Sequence, residues 1–136
     1  MMHGQRGTTA IEFALVALVL MTLTFGGMEY ARLFWTWQAL QLAGDETARC
    51  VGIGSSDCAT PSTYAVTAAA NYGASGLLAT NVQVVPATSA TPCNQITGNS
   101  AVSVTLSLPF TSPASTLIPG LNRTLTTTSC YPLTGQ

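Results

Sequence analysis

Glu12 is a lone carboxylate inside a run of apolar residues, and it follows a short polar and basic leader that ends at Gly7. An ionised group on a membrane helix costs on the order of 3 kcal/mol or more, so its presence points to a partner or a function. A cut after Gly7 would supply one, because the new α-amino group of Thr8 would lie four residues before Glu12 on the same helical face. Other chemistry finds little material. After Asp57 the only charged side chain is Arg123, and the only histidine, His3, lies in the leader. Ser-His-Asp, paired-carboxylate and His-based metal sites all lack parts, so the expectation is a chain that is not an enzyme and holds no cofactor or metal. Asp45 and Glu46 are the only adjacent carboxylates. Neighbouring helical positions diverge by about 100°, so they read as a solvated face, with Asp45 and Arg49 an i, i+4 ion pair.

The 4 cysteines, Cys50, Cys58, Cys93 and Cys130, form no C-x-x-C pair and have no nearby histidine. Zinc sites usually need both kinds of proximity. An even count behind a membrane segment instead reads as two disulfides in an oxidising compartment. Three connectivities are possible. Cys50 with Cys58 and Cys93 with Cys130 is favoured, since the first closes a short loop after the helix and the second ties the terminal strand back. Loop-closure entropy puts their contributions at about 2.6 and about 3.8 kcal/mol.

Composition agrees with a membrane-associated chain. Of 136 residues only 7% are charged, against roughly 25% in soluble domains, and no lysine is present. No basic patch exists to neutralise phosphates, which argues against nucleic-acid binding.

The element that must position Glu12 is the apolar segment 10–28, whose only polar residues are Glu12, Thr22 and Thr24. It makes about 28 Å of helix, just enough to span a hydrocarbon core. Arg6 and His3 on its N-terminal side favour a cytoplasmic N-terminus. A secretory signal peptide would need an A-x-A-like site, which Gly26-Gly27 and the following residues do not provide. An uncleaved anchor explains the hydrophobicity but not Glu12.

Glu29 and Arg32 at i, i+3 spacing, with Tyr30, Phe34, Trp35 and Trp37, suit an interfacial belt. Beyond them Leu33, Trp37, Leu40, Gly44, Ala48 and Val51 fall three or four apart and predict an amphipathic continuation that packs on the chain's own domain. Gly52, Gly54 and Ser55-Ser56-Asp57 announce its end. Thr60-Pro61 offers an N-cap and a first-turn proline for a second, shorter helix with Ala65, Ala68, Ala69 and Tyr72 on one face. The period then changes to two. Val82 and Val84 alternate with Gln83, and Val102, Val104, Leu106 and Leu108 alternate with Ser103, Thr105 and Ser107, predicting strands with one buried face. The segment 86–99, with Cys93, reads as an exposed loop, and 111–122 as another, before a β-prone 123–131. Asn122-Arg123-Thr124 matches a glycosylation sequon, a pattern common by chance. The fold class expected is α+β: a long N-terminal transmembrane and amphipathic helix, a shorter second helix, and a small, mostly antiparallel sheet of about three strands.

The pattern of Gly7, four residues, then Glu12-Phe13 resembles the class III signal of type IV prepilins, and in particular the TadE-like minor pseudopilins of the tight-adherence (Flp) pilus machinery. The long helix, the Ala48-Arg49-Cys50 region, the strand at 102–110 and the polar C-terminal strand fit that family's layout. Thr8 stands where many type IV pilins carry phenylalanine. The resemblance implies cleavage between Gly7 and Thr8 by a prepilin peptidase, and a role for Glu12 and Phe13 in processing or assembly. It implies other pilin or pseudopilin subunits and membrane lipid as partners. The location implied is the bacterial inner membrane, single-pass, with the C-terminal domain periplasmic or extracellular and the processed chain pilus-associated. The domains expected are a leader at 1–7, the helix at 8–52 and a small extracytoplasmic domain at 53–136. The competing reading is an uncleaved, membrane-anchored binding or adhesion module.

Overall fold

The computed structural model describes residues 5–87, 93, 101–116 and 118–133. Helix α1 runs Gln5–Gly52, 48 residues, or about 72 Å at the usual rise. Its two halves have different surroundings. From Ile11 to Met28 the large apolar side chains stand in the open, Phe13 at 74% exposure. From Ala39 onward one face is covered by the domain: Ala39, Leu40, Ala43, Thr47 and Ala48 are all buried. Apolar exposure on this scale is far beyond what a water-soluble monomer shows, and the one long apolar helix fits a single-pass membrane protein.

The helix ends where the glycines announced it. Gly52 is its last residue, and a Cβ there would run into the Tyr131 ring. Gly54 then takes φ +68°, a conformation that L side chains resist. A short 3-10 turn, Ser56–Cys58, leads to α2, Pro61–Asn71. Pro61 takes the first turn as expected. Thr60 occupies the N-cap position, but its side chain makes no capping hydrogen bond. Its ψ of 86° falls short of the extended conformation that aims a capping oxygen at the first-turn amides.

Three strands follow: β1 Val82–Ala87, β2 Ala101–Phe110 and β3 Arg123–Pro132. They form one antiparallel sheet in the order β1-β2-β3. The expected period-2 pattern holds in β2, where Val102, Val104, Leu106, Leu108 and Phe110 are buried. The fold is therefore α+β, as its sequence predicts. The expected loop from residue 86 begins later, because β1 continues through Ala87, paired with Ala101. Cys93, expected on an exposed loop, is buried; its bond to β3 draws it onto the domain. The remainder of that segment lies outside the described residues.

Alanines of α1 and α2 meet the branched residues of β2 in the core. Small helical side chains let the axes approach the sheet closely. Gly44 is one such point besides Gly52, since a Cβ there would lie 2.9 Å from Ser129 Oγ. Leu40 and Ala48 of the expected stripe are buried and Leu33 and Val51 are half-buried, whereas Trp37 stays 37% exposed at the margin.

Candidate functional site

Gly7 and Thr8 lie in the first turns of α1, and Glu12 follows one turn after Thr8. Glu12 and Phe13 are both exposed on the bare apolar half of the helix. Among the described residues the only ion pair is Arg32 with Glu29, at 3.7 Å. Glu12 thus has no cationic partner within the described chain, and its face is open to whatever surrounds the helix. Thr8 lies one turn before Glu12 along α1, and both positions are far from the folded domain. Residues 1–4, including His3, lie outside the described residues.

A second polar group, which sequence reading treated only as a pair, gathers at the end of the apolar run. Glu29 is 19% exposed at its side chain, and its Oε2 accepts a hydrogen bond from Ser112 Oγ at 2.7 Å. Ser112 Oγ in turn accepts from Ala114 N at 3.1 Å, and Ser112 N donates to Asn122 Oδ1 at 2.8 Å. The Arg32 guanidinium sits 5.4 Å above the centre of the Phe110 ring, within range of a cation–π attraction. Glu29 therefore fastens the connection between β2 and β3 to the helix, and Arg32 packs on the last residue of β2. Asn122, which heads the sequon, uses its side-chain amide to hold that connection.

Asp45 and Glu46 lie on an exposed face, as expected, but Glu46 there holds two phenols that the sequence did not indicate. Tyr64 Oη donates to Glu46 Oε1 at 2.8 Å, and Tyr72 Oη donates to Oε2 at 3.0 Å. Both phenols are held above their ordinary pKa, chiefly because the bond to the Glu46 carboxylate requires their protons. The carboxylate thus fastens α2 to α1. The Asp45–Arg49 ion pair expected beside it does not form; both side chains are exposed, where such a pair is worth only a few tenths of a kcal/mol. Tyr64 and Tyr72 lie about two turns apart on α2, a spacing that marks them as a pair without revealing their common acceptor.

Cys50 is joined to Cys58 and Cys93 to Cys130, with Cα separations of 6.1 and 5.8 Å, the pairing favoured above. The first pins the end of α1 to the turn that follows, and the second fastens the β1–β2 connection to β3. Among the described residues no three His, Cys, Asp or Glu side chains lie together as a metal site would require.

The belt aromatics are exposed as expected: Tyr30, Phe34 and Trp35 each exceed half exposure, and Phe34 and Trp37 stack obliquely, with ring centroids 6.2 Å apart. Trp35 Nε1 lies 3.3 Å from where a Cβ on Gly73 would stand.

No curated protein and no solved structure matches the chain. Residues 7–49, from Gly7 through the buried stripe of α1, match the family model described as TadE-like protein. Residues 50–136 lie outside that match. The match, confined to α1, is consistent with a TadE-like protein of the Tad/Flp pilus system.

Proposed function

We propose that the chain is a minor pseudopilin-like structural subunit, cut between Gly7 and Thr8 by a prepilin peptidase and acting in assembly of a Tad/Flp pilus for surface adhesion. In this reading residues 1–7 are the leader, 8–52 the membrane and assembly helix, and 53–136 the domain on the periplasmic or outer side. The observation that carries it is Glu12, a carboxylate exposed on a bare apolar helix with no cationic partner in the described chain. Removal of the leader creates an α-amino group one turn away. A charged carboxylate and ammonium brought together at low dielectric attract strongly, and either is a heavy cost alone. Pairing within one chain, or between a carboxylate and the amino terminus of a neighbour, sets the axial register at which helices pack. The protein's partners are then the peptidase, other pilin or pseudopilin subunits and membrane lipid, and its work is assembly rather than reaction.

N-terminal sequencing and intact mass of the envelope protein test the cut, with Thr8 expected as the first residue. A mature start beyond Gly26 would mean signal-peptide removal and end this reading. Glu12→Gln and Glu12→Leu, at matched expression, test assembly. Both should insert in the membrane, yet incorporation or pilus formation should fail, because an unpaired buried charge costs about 3 to 5 kcal/mol at each interface. Normal pili with both variants would favour an anchored adhesion module instead.

A further inference from the structure

The connection between β2 and β3 does not stay on the domain. From Ser112, bonded to Glu29, it runs down the helix toward the membrane side, and Ile118 Cδ1 lies 3.3 Å from where a Cβ on Gly26 would stand. Gly26 lies inside the apolar run 10–28, about 3 Å below its last residue, and Glu29 lies about 4.5 Å above Gly26. Ser112 is thus level with the first charge beyond the span, and Ile118 is level with the edge of the hydrocarbon.

The composition of the connection suits that depth. From Thr111 to Asn122 no residue is charged, and the chain passes through Pro113, Ile118 and Pro119. Ile118 remains 37% exposed beside the helix, and Pro119 and Gly120 are exposed. Its backbone is also prepared for scarce water. Ser112 N donates to Asn122 Oδ1, Ala114 N to Ser112 Oγ, Ser115 N to Ser112 O and Ile118 N to Ala114 O, at 2.8, 3.1, 3.1 and 2.9 Å. Pro113 and Pro119 have no N–H to satisfy. Lipid-exposed irregular backbone is excluded from the hydrocarbon core, so a short 3-10 turn, Pro113–Thr116, with these N–H groups paired suits the headgroup and upper acyl region rather than greater depth.

We propose that the described residues of this connection, 112–116 and 118–120, make a second membrane contact, whose Ile118-Pro119 tip enters the lipid headgroup and upper acyl region beside α1. The occupant of this surface is the bilayer that the helix itself crosses. The contact fixes the height and the rotation of the domain over the membrane, because a helix alone leaves its domain free to swivel. This inference rests on α1 spanning the bilayer.

The test uses the full chain with Trp35 and Trp37 replaced by phenylalanine, reconstituted in phosphatidylcholine–phosphatidylglycerol vesicles with lipids brominated either near the top or near the end of the acyl chains. Single tryptophans are introduced by Ile118→Trp, Pro119→Trp, Leu20→Trp within the span, and Ile53→Trp at an exposed position just beyond the end of α1, about 40 Å above Gly26 along the helix; intact disulfides report folding. Pro119→Trp reads the same depth without altering the contact with Gly26. The expected result is loss of emission from 118 and 119 with shallow bromines, from 20 with deep bromines, and none from 53. Quenching at 20 but at neither 118 nor 119 would overturn the proposal and leave the spanning helix intact. Emission at 20 untouched by either lipid would overturn the spanning reading and this proposal with it.

Discussion

Ser112 Oγ donates a hydrogen bond to Glu29 Oε2 at 2.7 Å, joining two residues 83 positions apart. The bond fastens the far connection of the sheet to the helix at the point where the apolar run ends. It also makes the helix exit a structural joint rather than a free stalk.

Breaking this joint should loosen the domain. Hydrogen bonds to charged groups contribute about 1.5–3 kcal/mol, so Ser112→Ala, which also removes the acceptor for Ala114 N, should lower the unfolding free energy of the full chain in detergent by about 1–3 kcal/mol. For a domain of this size that is a fall in Tm of several degrees, by the ~4–8 °C per kcal/mol scaling. Glu29→Gln keeps an acceptor and should lose less. Unchanged melting by near-ultraviolet circular dichroism with Ser112→Ala would refute the joint.

Gly44 and Ser129 make a second testable contact. A Cβ on Gly44 meets Ser129 Oγ at 2.9 Å but Ser129 Cβ only at 3.5 Å and Leu106 Cδ1 at 3.6 Å. Gly44→Ala gains up to ~1 kcal/mol of helix propensity, yet overpacking of about 1–3 kcal/mol should outweigh it. Ser129 Oγ is buried and has no hydrogen-bond partner among the described residues, so Ser129→Ala should be neutral or stabilising. It also removes the clashing atom. A double-mutant cycle should then show favourable coupling above about 0.5 kcal/mol; strict additivity would contradict the packing.

The Glu46 joint should fail at high pH. Tyr64 and Tyr72 hold their protons more tightly when folded, so their contribution is complete below the ordinary tyrosine pKa near 10 and is lost as pH rises through the raised folded values. Spectrophotometric titration of Tyr64→Phe, Tyr72→Phe and Glu46→Gln checks this. Glu46→Gln should shift the ionisation of both phenols toward lower pH and remove the alkaline loss of stability that they cause. Identical tyrosinate curves for Glu46→Gln and the parent chain would be the contrary outcome.

The two disulfides should differ in weight. Chain entropy assigns about 2.6 kcal/mol to Cys50–Cys58 and about 3.8 kcal/mol to Cys93–Cys130, the longer loop. Paired serine replacements at Cys93 and Cys130 should therefore lower Tm more than replacements at Cys50 and Cys58. Non-reducing peptide mapping of the parent establishes the pairing first, and the reverse order of Tm values would show that the loop-entropy ranking does not govern this domain.

Local pattern was enough for the elements. Apolar continuity from Ala10 to Met28, the stripe of Leu40, Gly44 and Ala48, and the alternation from Val102 to Leu108 are properties of neighbouring residues, and each repeats at the period of its own secondary structure. The isolation of Glu12 was equally visible, because a charge in a hydrophobic run stands out without any knowledge of the fold. The joints were not legible. Glu29 reaches Ser112 and Glu46 reaches Tyr64 and Tyr72 across 83, 18 and 26 residues, and nothing in a helical period says which distant hydroxyl will face a given carboxylate. Glu46 therefore read only as solvated, and Asp45 and Arg49 as paired, since a sequence displays neighbour relations such as i, i+4 but not distant partners. The descent of Ile118 onto Gly26 is of the same kind: it follows from how the sheet lies on the helix, and that angle is set by the close approach at Gly44 and Gly52, where missing side chains admit Ser129 and Tyr131.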